Sequence, residues 1–484
     1  MVCDNTMTTG KLEYCSSLIL WMMLCCHKRI LLIVMYALNR KGMIYMKQNH
    51  NEPKWDVAII GAGIAGLTAS IFLAKAGMTV LILDKGSHAG GRAASTEIAS
   101  AQVNLGAHAL YKSALPILRE VGVIPSGAAP KPLGTFVFEE AGGGKKAVPF
   151  AQLLLGSFLK WHEKTQLLRF YSRFRNADTS TLHRVSLQDY LESQISSPRV
   201  RSVVLAFVRV STYCDAPEQL SAGAVIDQLK HGQVMYVDGG WQTLVSALNE
   251  QALLAGVSIR MSAPVREIAG SYPEMTVTLK DGMQLTTSHV LSTAGPTDTL
   301  ALLNPSLTPE EAAVYKQLIP VHAVCLDLVV LGMPQPHTKF VLGADYPWYY
   351  SNHSAAASLS DHPGHHVVHV MKYLSDPKGS DAQQDERELN GFLDFIQPGW
   401  RKHVIEERFL PRMLVSHGVV TANSGGLSGR PGSAVEGRPG LYVAGDWVGS
   451  EGMLVNASLA SAKEAARGII AGSDQDKEGI HRGA

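Results

Sequence analysis

Three glycines, Gly61, Gly63 and Gly66, sit in a spacing that suits one kind of chemistry, the holding of a phosphate. In Gly61-Ala62-Gly63-Ile64-Ala65-Gly66 each glycine has its own task. The first permits a tight turn, the second lets backbone approach a pyrophosphate, and the third lets a helix pack close on a strand. A helix starting at Ile64 would aim free N–H groups and the positive end of its dipole at the phosphates. Asp84 closes the next apolar run, where a carboxylate can accept from ribose hydroxyls. Such a glycine pattern also arises as a chance turn. Here the strand before it, the helix after it and the acidic residue all agree.

Two more segments bear on which dinucleotide is bound. Lys85-Gly86-Ser87-His88-Ala89-Gly90-Gly91-Arg92 pairs glycines with a cationic donor, a loop able to lie against phosphates. Gly440-Leu441-Tyr442-Val443-Ala444-Gly445-Asp446-Trp447 is a strand ending in Gly-Asp, which can place a carboxylate on a ribityl chain. The three together, in this order, point to FAD rather than NAD. No second GxGxxG unit follows, so a dedicated NAD(P)H domain is not expected. Electrons would leave to oxygen, a quinone or another carrier. His365, His366 and His369 invite a metal reading. Strand alternation puts His366 opposite the other two, and Asp361 is the one local carboxylate, so no metal is expected.

The elements that must position these residues follow from periodicity. Residues 55–60 read as a strand, 64–76 as a helix ending at Gly77, and 79–84 as a second strand. The runs are apolar throughout, as in a parallel sheet buried on both faces. A short helix is expected at 112–121, and residues 136–219 read as mainly helical. A helix is expected at 241–255, strands at 257–268, 274–280 and 286–294, a last strand at 441–444, and a helix near 456–470. The fold class is α/β: a Rossmann-like FAD-binding domain of the GR2 type, built from three segments (55–135, 220–300 and 412–472). An inserted α+β substrate domain takes 136–219 and 301–411, and 473–484 is a polar tail.

Composition bounds the rest. A 46% hydrophobic content with 18% charged residues fits a globular core, and a net charge of +1 gives no reason to expect nucleic acid. Four cysteines (Cys3, Cys15, Cys25, Cys26) crowd the N-terminus; Cys214 and Cys325 are isolated, which fits a reducing cytoplasm. Residues 18–26 and 30–38 are apolar, split by His27-Lys28-Arg29. Each is shorter than the ~18–20 residues of a spanning helix, so no integral span is expected. Residues 1–54 read as an extension that a start codon assigned too far upstream would explain. An interfacial anchor, giving peripheral membrane contact, and a tucked-in helix are the alternatives.

The chain resembles the FAD-dependent amine oxidase and phytoene desaturase superfamily, and most of all its phytoene-dehydrogenase-like branch. The residues carrying the resemblance are Gly61–Gly66, Asp84, Gly90-Gly91-Arg92, Asn104-Leu105-Gly106-Ala107-His108, Asp238-Gly239-Gly240-Trp241, Val265 before Ile268, and Ala444-Gly445-Asp446. The resemblance implies that Gly61, Gly63, Ile64, Ala65, Gly66, Lys85, Gly91 and Arg92 meet the phosphate side of FAD. It puts Asp84 on the adenosine ribose, Val265 at the adenine, and Asp446 with Gly445 at the ribityl chain or pyrophosphate. Met453 and Leu454 would lie near the flavin ring, with Gly106, Ala107 and His108 running past it. Monoamine oxidases link FAD to a cysteine before the last strand; residues 424–440 contain none, so the cofactor is expected to be non-covalent. Nor do the paired aromatic residues that flank the flavin in amine oxidases have a place here.

The function expected is hydride transfer from an apolar substrate, such as a polyene, to flavin N5, with an amine as the alternative. His108 is the one side-chain candidate near the ring, and a packing histidine is the bland alternative. Tyr236 and Trp241 are expected to line the site or the core. A non-enzymatic reading also stands: Rab GDP-dissociation inhibitors use this fold to bind lipidated partners.

Overall fold

The computed structural model describes residues 54–482 apart from 132–133, 304–306 and 377; the readings made on residues 1–45 lie outside it. Strand β1 (Trp55–Ile60) leads through the glycine turn into helix α1 (Ile64–Lys75) and strand β2 (Val80–Leu83). The helix stops where Gly77, at φ 84°, takes the left-handed conformation that ends helices. The sequence stripe Ile64-Leu67-Ile71 suggests one apolar face. In fact α1 is buried almost all round, because Ala65, Gly66, Ala69 and Ser70 are small enough to let neighbours close on every side.

A hairpin of β3 (Ser95–Ile98) and β4 (Ala101–Asn104) follows, then β5 (Thr135–Glu139) and β6 (Lys145–Pro149). The expectation of a mainly helical 136–219 holds from residue 150 onward, but the stretch opens with a strand hairpin. Phe136-Val137-Phe138 is a short aromatic and β-branched run buried on both faces, and Gly142-Gly143, both at positive φ, turn the strand back on itself. Helices begin at α2 (Phe150–Leu155) and continue with α3 (Trp161–Arg175) and α4 (Pro198–Thr212). Strand β7 (Val234–Val237) and helix α5 (Trp241–Leu254) come next. The single strand expected at 257–268 is two, β8 (Ser258–Arg260) and β9 (Val265–Ser271), broken at Ser262 with φ 54°. Strands β10 (Glu274–Leu279) and β11 (Gln284–Ser292) complete this stretch.

The first sheet has the order β8-β2-β1-β11-β10-β9, with β1, β2, β8 and β11 parallel. A three-residue strand from far along the chain, Leu441–Val443, pairs in parallel with the end of β11.

The second sheet draws on β12 (Val321–Leu331), β13 (Phe340–Gly343), β14 (Trp348–Asn352) and β15 (His365–Tyr373). Helix α6 (Ala382–Ile396) precedes β16 (Val404–Ser416), which runs unbroken past residue 411. The sheet order is β16-β12-β15-β14-β13-β5-β6. Helix α6 starts on Asp381, whose carboxylate accepts from the Gln383 and Gln384 N–H groups. Its Leu389, Phe392, Leu393 and Ile396 cover Val324, Leu326, Leu328 and Val330 of β12. Each such burial stabilises by about 1.5–3 kcal/mol. The alternate residues of β12, Ala323, Cys325 and Asp327, therefore face the other way. The chain closes with β17 (the Leu441–Val443 strand) and α7 (Val455–Arg482). No helix among the described residues is long and apolar enough to cross a membrane.

Candidate functional site

The glycine turn is built for close approach. A Cβ on Gly66 would collide with the carbonyl oxygen of Gly61, so only glycine lets α1 sit this near β1. Gly61 holds φ 108°, outside the range of other residues. At Gly63 the nearest atom to a built Cβ is Gly90 O at 4.0 Å, which leaves the space before the helix open. The N-terminus of α1 has no side-chain cap and no acid in its first turn, so its first N–H groups face that space without partners of their own. Asp84 ties the surrounding loops together. One carboxylate oxygen accepts from Ala62 N–H at 2.6 Å, the other from Gly86 N–H at 2.7 Å. Gly90 N–H donates to Ala62 O at 2.9 Å, bringing Gly90-Gly91-Arg92 beside the turn. Val265 opens β9 next to these loops: Ala263 N–H donates to Asp84 O at 2.8 Å.

Arg92 and Asp446, 354 residues apart in sequence, meet directly. The guanidinium donates to both carboxylate oxygens, at 2.8 and 2.9 Å, and also to Val415 O. His417 adds its backbone N–H at 3.1 Å and its ring Nδ1 at 3.0 Å to the same carboxylate. Burial alone would raise the Asp446 pKa; Arg92 and His417 more than offset it and hold the carboxyl well below its usual range. Arg430, buried at 8% exposure, donates to the Asp446 and Gly452 carbonyls, while its Nε has no partner. Desolvation lowers its pKa to about 10, so it stays a cation at neutral pH.

Sequence reasoning missed Arg430, His417 and Thr293, whose hydroxyl donates to the Ile60 carbonyl at 2.9 Å beneath the turn. The glycine cluster at Gly425, Gly426 and Gly429, just before Arg430, was the available signal. The structure does not bring Lys85 into the group. Its ammonium lies in the open on Asp298 at 2.9 Å.

The segment Leu105–His108 crosses from this site to the second sheet. The half-buried His108 ring donates from Nδ1 to Gly106 O and packs edge-on against Trp241. Desolvation lowers its pKa to about 4, so it is neutral across the physiological range. Tyr213 donates to Ala107 O at 2.6 Å. Below this segment a polar row crosses the sheet, formed by Arg408, Asp327, His369 and Ser351 on four adjacent strands. Asp327 accepts from Arg408 Nε at 3.0 Å, His369 Nδ1 at 2.6 Å and the Cys325 thiol at 3.0 Å. Tyr236 stacks on His353 and shares its hydroxyl with Ser351 and Tyr349.

Cys325, Asp327 and His369 offer ligand atoms within 4.8 Å of one another. The strand pairing thus gives His369 a thiol and a carboxylate that sequence proximity did not reveal. Yet burial, together with the charge of Asp327, pushes the thiol well above its usual pKa, and Arg408 already neutralises the carboxylate. A thiol that keeps its proton beside a guanidinium is a poor cation ligand.

A pocket beside Asp446 is lined by Leu220, Val321, Val419, Val420, Met453 and Leu454, with Thr212, Cys214, Ser416, Gly418 and Arg430. Leu454 holds φ 56°, rare for a leucine, at the start of α7.

The comparisons with known proteins agree with this geometry. A profile of the flavin-containing amine oxidoreductases matches residues 64–470. A search of curated protein sequences gives no match. Among solved structures, an oxidoreductase from Methanosarcina mazei is similar at TM-score 0.68 and 21% identity, over 84% of this chain and 98% of that one. A putrescine oxidase with bound putrescine gives TM-score 0.68 at 14% identity, over 87% and 99% of the two chains. Cyclohexylamine oxidase from Brevibacterium oxydans gives 0.66 at 14% identity, over 87% and 100%. With the profile spanning most of the chain, the protein belongs to the flavin-containing amine oxidoreductase family and is an FAD-dependent oxidoreductase.

Proposed function

We propose that this enzyme oxidises an apolar substrate, forming a carbon–carbon double bond as in polyene desaturation. The observation that carries the reading is the lining of the pocket beside Asp446. Half of its lining is Leu, Val or Met, it contains the buried Arg430, and its one carboxylate is already held by Arg92 and His417. With Arg430, Asp446, Met453 and Leu454 on the cofactor side, an ammonium substrate would find no free anion on the opposite wall, where Leu220, Val321, Val419 and Val420 are apolar.

The residues fit FAD. The open space at Gly63, the uncapped amides of α1 and the unpartnered Nε of buried Arg430 are features a phosphorylated, hydrogen-bonding ligand satisfies. In this reading Gly61, Gly63, Gly66, Gly91 and Arg92 hold the pyrophosphate. Asp84 holds the ribose, Val265 the adenine, and Asp446 with Gly445 the ribityl side. Met453 and Leu454 adjoin the ring, as do Gly106, Ala107 and His108. The first sheet forms the cofactor lobe and the second the substrate lobe. When bound, FAD supplies the two-electron oxidising chemistry. The protein's part is to orient the substrate and exclude water, and neutral His108 adds no charge to the site.

FAD is held without a covalent link: the described cysteines, Cys214 and Cys325, are both buried, protonated and outside 424–440. Acid precipitation should release all the yellow chromophore into the supernatant, and flavin retained in the pellet would contradict this.

An amine remains the second reading, since the fold is shared with a putrescine oxidase and a cyclohexylamine oxidase. The two separate on anaerobic mixing of the holoenzyme with polyenes and with amines. Rapid bleaching by a polyene alone supports the proposal. Bleaching by amines alone overturns it, and a protein that purifies without flavin and cannot take it up would be a binding module instead.

A further inference from the structure

Helices α2 and α3 carry large apolar side chains on the face where water-exposed helices are normally polar. Leu155 is 87% exposed, Trp161 80%, Tyr171 54% and Leu168 53%. On α3 the spacing of 161, 168 and 171 keeps these three on one side, while Glu163 and Phe170 of the same helix are buried on the other. Lys164 Nζ donates to Gly156 O at 2.7 Å and pins the end of α2 to the first turn of α3, so Leu155 and Trp161 belong to one surface. Half-exposed Phe207 on α4 extends it, its ring 5.8 Å from Phe150.

The same surface is basic. Lys164 and Arg175 share the helix face of Trp161, Leu168 and Tyr171, and exposed Lys160 adjoins it at the start of α3, in a chain whose net charge is only +1. The one acid of α3, Glu163, is buried and occupied by the Lys160 N–H and the Ser197 hydroxyl. The guanidinium of Arg175 lies over Tyr171. Large apolar side chains with cations around them are what a lipid headgroup region accommodates. A second copy of the chain would bring the same cations face to face across a two-fold axis, which disfavours self-association here.

We propose that this face docks on an anionic lipid bilayer. Leu155, Trp161, Leu168 and Tyr171 would enter the boundary between headgroups and acyl chains, and the basic side chains would meet lipid phosphates. Behind the face a file of aromatic rings leads inward. Phe150 meets Phe136 at 4.3 Å and Phe340 at 6.2 Å, Phe340 meets Tyr349 at 5.6 Å, and the Tyr349 hydroxyl lies 3.3 Å from that of Tyr236. An enzyme seated this way would stand on the phase in which an apolar substrate is dissolved. The docking itself does not rest on the substrate reading, and a binding assay tests it without turnover.

The test is co-sedimentation of the full-length holoenzyme with vesicles of phosphatidylcholine alone and of phosphatidylcholine with phosphatidylglycerol. The wild type should sediment with the anionic vesicles and release as salt is raised. L155E/W161E should bind at least about tenfold more weakly. K160E/R175E, which alters only exposed side chains, should lose the preference for anionic lipid. Flavin absorbance of each variant reports that it has folded; if the first variant loses flavin, the second decides alone. Wild-type protein that ignores both vesicles overturns the proposal. So does undiminished binding by both variants, which would move the contact elsewhere in the chain. A wild-type dimer in light scattering that L155E/W161E abolishes would assign the face to a second copy and overturn it too.

Discussion

Asp446→Ala should purify without flavin and with lowered stability. The carboxylate is the meeting point of Arg92, the His417 ring and the His417 amide, and it lies on the proposed ribityl side of the cofactor. Losing a hydrogen bond from a charged group removes about 1.5–3 kcal/mol, which is on the order of 10–100-fold in FAD affinity. Breaking a buried pair by removing one partner costs about 3–5 kcal/mol. Here the lower end applies, because the Arg92 side chain is 37% exposed and water can relieve it. The pH sign follows from the depressed carboxyl. Its contribution is fully present above the unfolded value of about 3.9 and is lost as pH falls towards the lower folded value. The wild type should therefore lose it only on strong acidification, while the variant lacks it at every pH. Flavin content after gel filtration and urea midpoints at neutral and acidic pH check this. A yellow variant with an unchanged midpoint would contradict it.

Asp327→Ala should be the most destabilising single change in the second sheet, by about 3–5 kcal/mol. The side chain is 1% exposed and receives a guanidinium, an imidazole and a thiol at once. Burial opposes the charge, yet His369 and Arg408 still keep the carboxyl below its usual range. Alanine would leave the His369 and Cys325 donors facing a void without their acceptor, and Arg408 with the Asn104 carbonyl alone. Asp327→Asn keeps the shape and part of the hydrogen bonding, so it should fall between wild type and alanine. The measurement is the guanidinium midpoint at constant slope. Equal midpoints for Asp327→Ala and wild type would show the row to be dispensable.

The nucleotide turn was readable from sequence because each signal in it is local. Strand, turn and helix lie within residues 55–84, and each glycine answers a constraint set by its neighbours. The hairpin at 135–149 was not read, since its apolar run is only three residues long and carries no alternation, and the basic, aromatic stretch after it dominated the reading. The Arg92–Asp446–His417 cluster could not be assembled in advance, because its members come from three distant segments. Asp327 and His369 left a fainter trace. Each sits inside an apolar strand, Val-Cys-Leu-Asp-Leu-Val and His-Val-Val-His-Val-Met, and a charge buried there has to find a partner. Asp327 was not singled out from the sequence, and only the strand register pairs it with His369.

The placement of β17 has a consequence for how this protein is made. Its three residues pair with β11, and Asp446 follows immediately, so the first sheet receives its last strand from near the end of the chain. At synthesis rates of about 5–20 residues per second, the Gly61–Gly66 turn leaves the ribosome on the order of tens of seconds before that strand exists. For that interval the nascent chain carries half of the proposed binding site and an open flank on β11. Parallel pairings between such remote segments also form slowly. On the proposed assignment of the site, FAD capture therefore waits until β17 and Asp446 have emerged.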